Sequence, residues 1–315
     1  MILQDFSYFL RVVELGSITK AAESLYVSQP SLTKYIHKLE RELGISLFDR
    51  SHLPLRLTDA GRCFYEYITG VESEQRNLLT RIAEIKSNER ATITIGMPLW
   101  RSSVILPAFL PVFCKKHPLI SIKLVEGPAR KLEEAIMDDE VDFCIMNLPV
   151  SYQNVSYLTL AREYIYLIGS NEDPFVQKLN AETPDREHIP VDIHRFKDQP
   201  FILNRPGQHI TGYVNNMLSQ NDMELNCRLR TSNVTTAINL AASGLGFTFV
   251  PELGTRSRYF PSDRVTKYLV NTPPLTCEIA GVYKKSTYLS HAARTFLEEI
   301  KEYFDALSGQ FQTIA

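Results

Sequence analysis

Long hydrophobic runs are absent from this sequence of 315 residues. No apolar stretch approaches the roughly 20 residues that a membrane-spanning helix needs. The stretch MILQDFSYFLRVVELG at the start carries Asp5, Arg11 and Glu14 inside its apolar pattern, which is not the pattern of a secretion signal. We therefore expect a cytoplasmic protein without a membrane anchor.

Cysteine is sparse, with five residues and no CxxC spacing, which indicates reduced thiols and not a disulfide framework. The seven histidines form no HExxH motif, and Gly244 with Gly246 lacks the third glycine of a dinucleotide-binding loop. We therefore expect no metal, no cofactor and no enzymatic activity. Excess positive charge is missing too: the formal net charge is -2, so any nucleic-acid surface must be local.

Residues 1–58 contain three short helical patterns followed by a strand-like stretch. Gly16 is placed to end the first helix, while Ser17 and Ser28 are placed to cap the second and third. Pro30 falls in the first turn of the third helix, where its missing N–H removes no helix bond. The stretch GISLFDRSHLPLRLTDAG then alternates leucines around Pro54 and predicts a two-stranded wing. This order is that of a winged helix-turn-helix.

The third predicted helix has two unlike faces. Leu32, Ile36 and Leu39 form an apolar stripe for the core, and the opposite face is rich in hydrogen-bonding groups without an acid. Seven basic and seven acidic residues cancel in the first 59 positions, so charge is sorted by face. This face suits DNA contact, with the N-terminal end of the helix in a major groove. The alternative is a face that is simply solvated. The expected base-edge contacts are Gln29, Pro30, Ser31, Thr33 and Lys34, and the expected phosphate contacts are Ser17, Thr19, Ser28, Lys38, Arg50 and Arg56.

Residues 59–90 form a predicted linker, with Thr58 placed to cap a long helix that runs to about Ser87. Apolar residues recur along it at alternating spacings of four and three, which is typical of a coiled-coil seam between two copies. One face of a globular core is the alternative. The seam consists of Phe64, Ile68, Val71, Gln75, Leu78, Ile82 and Ile85.

From residue 91 to the end, strand patterns alternate with helix patterns in two cycles, which predicts two α/β lobes. The stretch DPFVQKLNAETPDREHIPVDIHRF between the cycles is charged and broken by prolines. We therefore expect it to be a surface connection.

The stretch FLRVVELGSITKAAESLYVSQPSLTKYIHKLERELGISLFDRSHLPLRLTDAG resembles the DNA-binding domain of LysR-type transcriptional regulators. Its Ala-Ala pair, Val-Ser-Gln-Pro, Leu-Phe-x-Arg and Leu-Thr-x-Ala-Gly stand in family order and spacing, and GLGFTFVPE is similar to a later family signature. The resemblance implies an α/β protein with a winged helix-turn-helix, a linker helix that pairs in a homodimer or homotetramer, and a two-lobed effector domain similar to periplasmic solute-binding proteins. Operator double-stranded DNA, a small effector and RNA polymerase are the implied partners.

In the family that the sequence resembles, the chain crosses twice between the lobes. We place these crossings near Arg162 to Tyr164 and near Val265 to Tyr268. Lobe I then comprises about residues 91–163 and 267–305, and lobe II about residues 164–266.

Turns between strands and helices supply the expected effector contacts, because a helix N-terminus offers unpaired N–H groups to an anion. The resemblance implies that these turns, and residues after later strands, face the interlobe cleft. Arg101 or Arg205 suits a carboxylate, so we expect a small organic anion, with an aromatic one as an option. Ser102, Ser103, Ser232 and Asn233 are equally interpretable as helix caps. The expected contacts are Pro98, Trp100, Arg101, Ser102, Ser103, Asn147, Asn204, Arg205, Thr231, Ser232, Asn233, Phe247 and Thr248.

Two alternatives remain at this point. A redox-responsive regulator would use the cysteines in place of an effector. A solute-binding protein would need only the two lobes, and the winged segment argues against it.

Overall fold

The computed structural model describes residues 6–52, 54–86, 91–182, 189–206, 209–271 and 273–308. The chain divides into two compact units, Met1–Ile82 and Ala83–Ala315. Within the described ranges, no helix is both long enough and apolar enough to span a bilayer.

The first unit is a winged helix-turn-helix, as predicted. Ser17, Ser28 and Thr58 each accept a hydrogen bond from the backbone N–H three residues later, at 3.3, 3.3 and 2.9 Å, and Gly16 ends its helix with φ 57°. These predicted helix ends are confirmed. The elements are α1 (Ser7–Leu15), α2 (Ile18–Ser24), α3 (Gln29–Leu43), β1 (Phe48–Asp49), β2 (Arg56–Leu57) and α4 (Asp59–Lys86). The wing pairs β1 with β2 in antiparallel register, and the predicted strand residue Leu53 lies outside the described residues.

The first turns of the long helix α4 pack into the core of the first unit. Phe64 packs edge-on against Phe6 and Phe9, with ring centroids 5.7 and 5.0 Å apart. The first predicted seam residue therefore contributes to this core within one chain, and Ile68 is also buried. Farther along, Leu78 and Ile82 are 52% and 37% exposed. These two exposed residues keep the seam prediction open for the later part of α4, while the side chain of Ile85 lies outside the described part.

The second unit consists of two α/β lobes that share one mixed sheet. Its order is β4-β3-β5-β12-β6-β11-β7, with β10 also paired to β6, while β8 and β9 form a separate parallel pair. The strands are β3 (Ala91–Met97), β4 (Ile120–Glu126), β5 (Phe143–Asn147), β6 (Val155–Ser170), β7 (Ile189–Val191), β8 (Pro200–Asn204), β9 (Asn226–Thr231), β10 (Thr248–Pro251), β11 (Val265–Val270) and β12 (Thr276–Lys284). The helices are α5 (Leu99–Lys116), α6 (Ala129–Met137), α7 (Pro174–Glu182), α8 (His209–Gln220), α9 (Val234–Ala242), α10 (Glu252–Thr255) and α11 (His291–Ser308).

Strand β6 connects the two lobes. Its first part pairs with β12 as far as Tyr164, and its second part pairs with β10 and β11 from Ile165 onward. Lobe I is thus built on β3, β4, β5, β12 and the first part of β6, and lobe II on the second part of β6 with β7 to β11. Because β11 belongs entirely to lobe II, the chain returns to lobe I after Val270. The second crossing between the lobes, expected at Val265 to Tyr268, therefore follows Val270 instead.

The stretch expected to be a surface connection contains α7, β7 and a 3-10 helix, Ile193–Phe196. Val176, Leu179 and Phe196 are buried in the core of lobe II. The prediction was wrong because it followed the charges and prolines, whereas the buried residues between them, Val176, Leu179, Ile189, Val191, Ile193 and Phe196, recur at helix or strand spacing. The parallel pairing of β7 with β11 joins this segment to the sheet of lobe II.

Candidate DNA interface and effector cleft

The polar face of α3 is presented to solvent. Gln29, Ser31, Lys34 and Lys38 are exposed, whereas Leu32, Ile36 and Leu39 are buried in the core of the first unit. Gln29 donates from Nε2 to Thr33 Oγ1 at 3.0 Å, one turn along the helix. Amide, hydroxyl and ammonium groups thus lie together on the first two turns, where they suit the edges of bases in a major groove.

Glu40 ties α3 to the wing. Its carboxylate accepts from the backbone N–H groups of Leu47 and Phe48 at 2.9 and 3.3 Å. It also accepts from Arg50 Nη2 at 2.8 Å, and Arg50 Nη1 lies 3.0 Å from His37 Nε2. Arg50, an expected phosphate contact, is therefore held against α3 with much of its charge compensated. The other expected phosphate contacts with long side chains, Lys38 and Arg56, are exposed.

A cleft of about 920 Å³ lies between the two lobes of the second unit. Pro98 to Trp100 at the start of α5 and Pro128 with Ala129 at the start of α6 form the lobe I wall. Ser232 to Thr235 at the start of α9 form part of the lobe II wall. The residues before α5 and α6 are prolines that provide no side-chain cap, while Asn233 caps α9 by accepting from Thr236 N at 3.2 Å. Three helix N-termini therefore border one cleft and make its rim favourable for negative charge.

The cleft brings together seven of the thirteen residues expected to contact an effector. These are Pro98, Trp100, Ser102, Ser103, Asn147, Ser232 and Asn233. Two of the others, Asn204 and Thr248, line a small neighbouring cavity, and Thr248 donates to Ile202 O at 2.7 Å. Phe247 is fully buried among aromatic rings, and Thr231 accepts from Asn233 N at 3.1 Å, so both have local structural contacts. Arg205 is exposed and is not part of the cleft wall.

Arg101 was expected to offer its charge to an effector carboxylate, and the structure places it elsewhere. The side chain is 0% exposed, and Nη2 donates to Glu163 Oε1 at 2.9 Å and to Asn147 Oδ1 at 2.8 Å. Glu163 lies where β6 leaves lobe I and also accepts from Leu253 N at 3.0 Å. The Arg101 charge is thus compensated inside the protein, at the junction of the lobes.

Several cleft residues were not anticipated from the sequence. Leu106 and Leu110 belong to α5, Ile210 lies in the first turn of α8, and Pro251 ends β10. Glu126 follows the rule used for the other contacts, because it is the last residue of β4 and precedes a helix. Applying that rule to the stretch SIKLVEGPAR would have found it.

All five cysteines are free thiols, and the two buried ones are poorly suited to redox chemistry. Burial raises the pKa of Cys144 to about 12. Burial, reinforced by the nearby Glu163 carboxylate, raises the pKa of Cys277 well above its usual value. Because the thiolate is the reactive form, both thiols are expected to be inert near neutral pH.

Two family models match the chain and agree with this architecture. The model for the LysR substrate binding domain matches residues 86–305, and the model for the bacterial regulatory helix-turn-helix protein of the lysR family matches residues 3–62. This chain belongs to the LysR family of transcriptional regulators. As a member of that family, it binds DNA through its helix-turn-helix and carries a regulatory domain for a small effector, and such regulators form oligomers.

Individual relatives of this LysR-family chain match along most of its length. The transcriptional regulator YcgK of Bacillus subtilis is 30% identical and covers 97% of each chain. BenM of Acinetobacter baylyi is 28% identical over 80% of each chain, and the full-length BenM structure superposes with a TM-score of 0.57 at 25% identity over 98% of each chain. A structure of CbnR with its target DNA gives a TM-score of 0.55 at 18% identity, covering 96% of this chain and all of CbnR.

Proposed function

We propose that this LysR-family regulator reads its operator with the first two turns of α3 and binds a small organic acid in the cleft between its lobes. A second copy pairs through the exposed residues of α4. The protein acts in the cytoplasm without catalysing a reaction, and RNA polymerase is the partner that its DNA-bound form influences.

The observation that carries the effector half is the interlobe cleft. Its walls come from both lobes, and three helix N-termini border it. A ligand that touches both walls favours the closed arrangement of the lobes, which is a common route from binding to a change in shape. Trp100 reinforces this role, because it belongs to α5 of lobe I and packs against a hydrophobic cluster of lobe II.

The DNA half is supported by the surface of α3 and by the CbnR relative, which has been solved with its target DNA. Arg50 pairs with Glu40, so we propose a positioning role for it beside the wing. We assign Gln29 and Lys34 to base edges and Lys38 to the phosphate backbone. Base contacts specify sequence, whereas phosphate contacts position the domain.

Thr235→Trp is expected to block the cleft. Thr235 is exposed in the first turn of α9 and lines the cleft, so an indole there occupies the ligand's space. With small organic acids as probes, calorimetry should show at least a tenfold loss of affinity, while DNA binding without ligand is retained. Asn239→Trp is the matched control, because Asn239 is exposed farther along α9 and is not part of the cleft wall. Unchanged ligand affinity in Thr235→Trp would contradict the cleft as the effector site.

Gln29→Ala and Lys34→Ala should each cost about 1–3 kcal/mol on a DNA site selected from the genome, and less on random duplex. The reason is that a base contact discriminates among sequences, whereas a phosphate contact does not. Lys38→Ala serves as the comparison and should weaken both duplexes equally while lowering the salt dependence of log K by about one. Equal losses on both duplexes for Gln29→Ala would remove it from the base-reading set.

A further inference from the structure

Glu126 gives the effector cleft a negative charge. Among the described residues that line the cleft, it is the one charged side chain, and the rest are apolar or uncharged. Trp100, Leu106 and Leu110 are among the apolar residues that line the same cleft. Gly207, Gln208 and the side chain of His209 lie outside the described residues. A simple anion closing into this cleft would therefore meet a carboxylate without a described cation on the wall to offset it.

The Glu126 carboxylate is held in place by a buried hydroxyl. Ser102 is 4% exposed, and its Oγ donates to Glu126 Oε1 from the second turn of the neighbouring helix α5. Ser102 Oγ also lies 2.8 Å from Leu99 O, so its one proton serves either acceptor. Here a rigid element sets the position of the carboxylate at the cleft wall.

We propose that the effector is an amino-carboxylic acid whose ammonium group pairs with Glu126. Its carboxylate meets the N-termini of α5 and α9, and an apolar side chain lies along Trp100 and the leucines of α5. Closing the lobes lowers the local dielectric and makes opposite charges attract more strongly and like charges repel more strongly. The assignment rests on the cleft being the effector site, as proposed above.

Two alternative roles for the Glu126 carboxylate lead to different expected results. A carboxylate shortly before α6 stabilises that helix by about 0.3–1 kcal/mol through the helix dipole, which would concern folding and not ligand choice. Lys131 is a nearby cation whose stem packs against Gly127, but no ion pair joins it to Glu126 among the described residues. If Lys131 neutralised Glu126 in solution, removing the carboxylate would leave ligand choice unchanged.

The test uses the full chain and matched ligand pairs that differ only in the amino group. Phenylalanine is compared with 3-phenylpropanoate, and leucine with 4-methylpentanoate, by calorimetry and Trp100 fluorescence. We expect phenylalanine and leucine each to bind at least tenfold more tightly than the corresponding acid without the amino group. In Glu126→Gln, which keeps an acceptor for Ser102, this preference should fall to within about threefold, with an unchanged melting temperature.

The outcomes separate this inference from the proposed function. A deaminated acid that binds as tightly as its amino acid, or a preference that survives in Glu126→Gln, overturns the pairing with Glu126. Failure of every pair to bind overturns the amino-acid class. If the amino acids bind and Thr235→Trp leaves their affinity unchanged, the cleft itself is wrong as the effector site, and the proposed function fails with it.

Discussion

Glu163→Ala is expected to destabilise the second unit by about 3–5 kcal/mol, because it leaves a buried positive charge without its counter-ion. Arg101 is 0% exposed, and its Nη2 donates to Glu163 and Asn147. Its Nε and Nη1 have no hydrogen-bond partner within the described part of the chain. Without Glu163, Asn147 would be the remaining described hydrogen-bond partner of the guanidinium, and the N–H of Leu253 would also lose its acceptor.

Trp100 makes this loss measurable in the full chain. It is the single tryptophan and lies beside Arg101, whose guanidinium carbon is 5.1 Å from the indole centroid. Its fluorescence in urea therefore follows the second unit without interference from the first. The matched control is Arg162→Ala, the preceding residue on β6. Arg162 pairs with Glu278 at 2.9 Å, but the two side chains are 69% and 38% exposed, so the loss should stay below about 1 kcal/mol.

A second substitution distinguishes the unpaired charge from a simple cavity. Replacing both partners, as in the pair Arg101→Leu and Glu163→Leu, removes the charge together with its counter-ion and should recover much of the stability lost in Glu163→Ala. If the double variant is as unstable as the single one, packing at Glu163 matters and the ion pair does not. A loss in Glu163→Ala as small as that in Arg162→Ala would show that neither the buried ion pair nor the packing at Glu163 contributes much stability.

The Arg101 case shows where reasoning from sequence stops. The sequence placed Arg101 in a strand-to-helix turn beside the cleft, and that turn is present between β3 and α5. Its partner Glu163 is 62 residues away, and only the packed fold brings the two together. A local pattern thus predicts the strand-to-helix turn, and the family resemblance places that turn beside the cleft, but neither predicts which of its side chains face inward.

Local rules were sufficient where local chemistry sets the structure. The caps Ser17, Ser28 and Thr58 and the stop at Gly16 were readable because a hydrogen bond spans three residues or a backbone turn needs a positive φ. For the stretch holding α7 and β7 the prediction was wrong, because its charges and prolines obscure the apolar spacing and the pairing of β7 with β11 that fixes it in lobe II is long-range. The same limit applies to Phe64, which looked like a seam residue and packs within its own unit.

Gly61→Ala is expected to destabilise the first unit by about 3 kcal/mol, at the upper end of the range for overpacking. A Cβ at this position would lie 2.0 Å from the carbonyl oxygen of Leu47 and 3.0 Å from a methyl carbon of Leu57. Two residues at the wing are thus in direct contact with the first turn of α4. A backbone oxygen does not move aside as the end of a flexible side chain does.

Hydrogen bonds at both backbone groups hold Leu47 in place. Its oxygen accepts from Thr58 N at 3.0 Å, and the N–H of the same residue donates to Glu40 at 2.9 Å. Relieving the clash must break one of these bonds or shift α4 away from the wing. Either change disturbs the position of the wing relative to α3, so affinity for the selected DNA site should also fall by at least tenfold.

Gly70→Ala in the same helix provides a control with the opposite sign. A Cβ at Gly70 meets no described atom within 4 Å, and alanine in a helix interior is favoured over glycine by about 1 kcal/mol. Hydrogen exchange of amides in α1 to α3 reports the first unit by itself. About 3 kcal/mol corresponds to exchange roughly a hundredfold faster in Gly61→Ala, with slower or unchanged exchange in Gly70→Ala. If both variants behaved like the parent protein, the tight contact between α4 and the wing would not be what holds α3 in place.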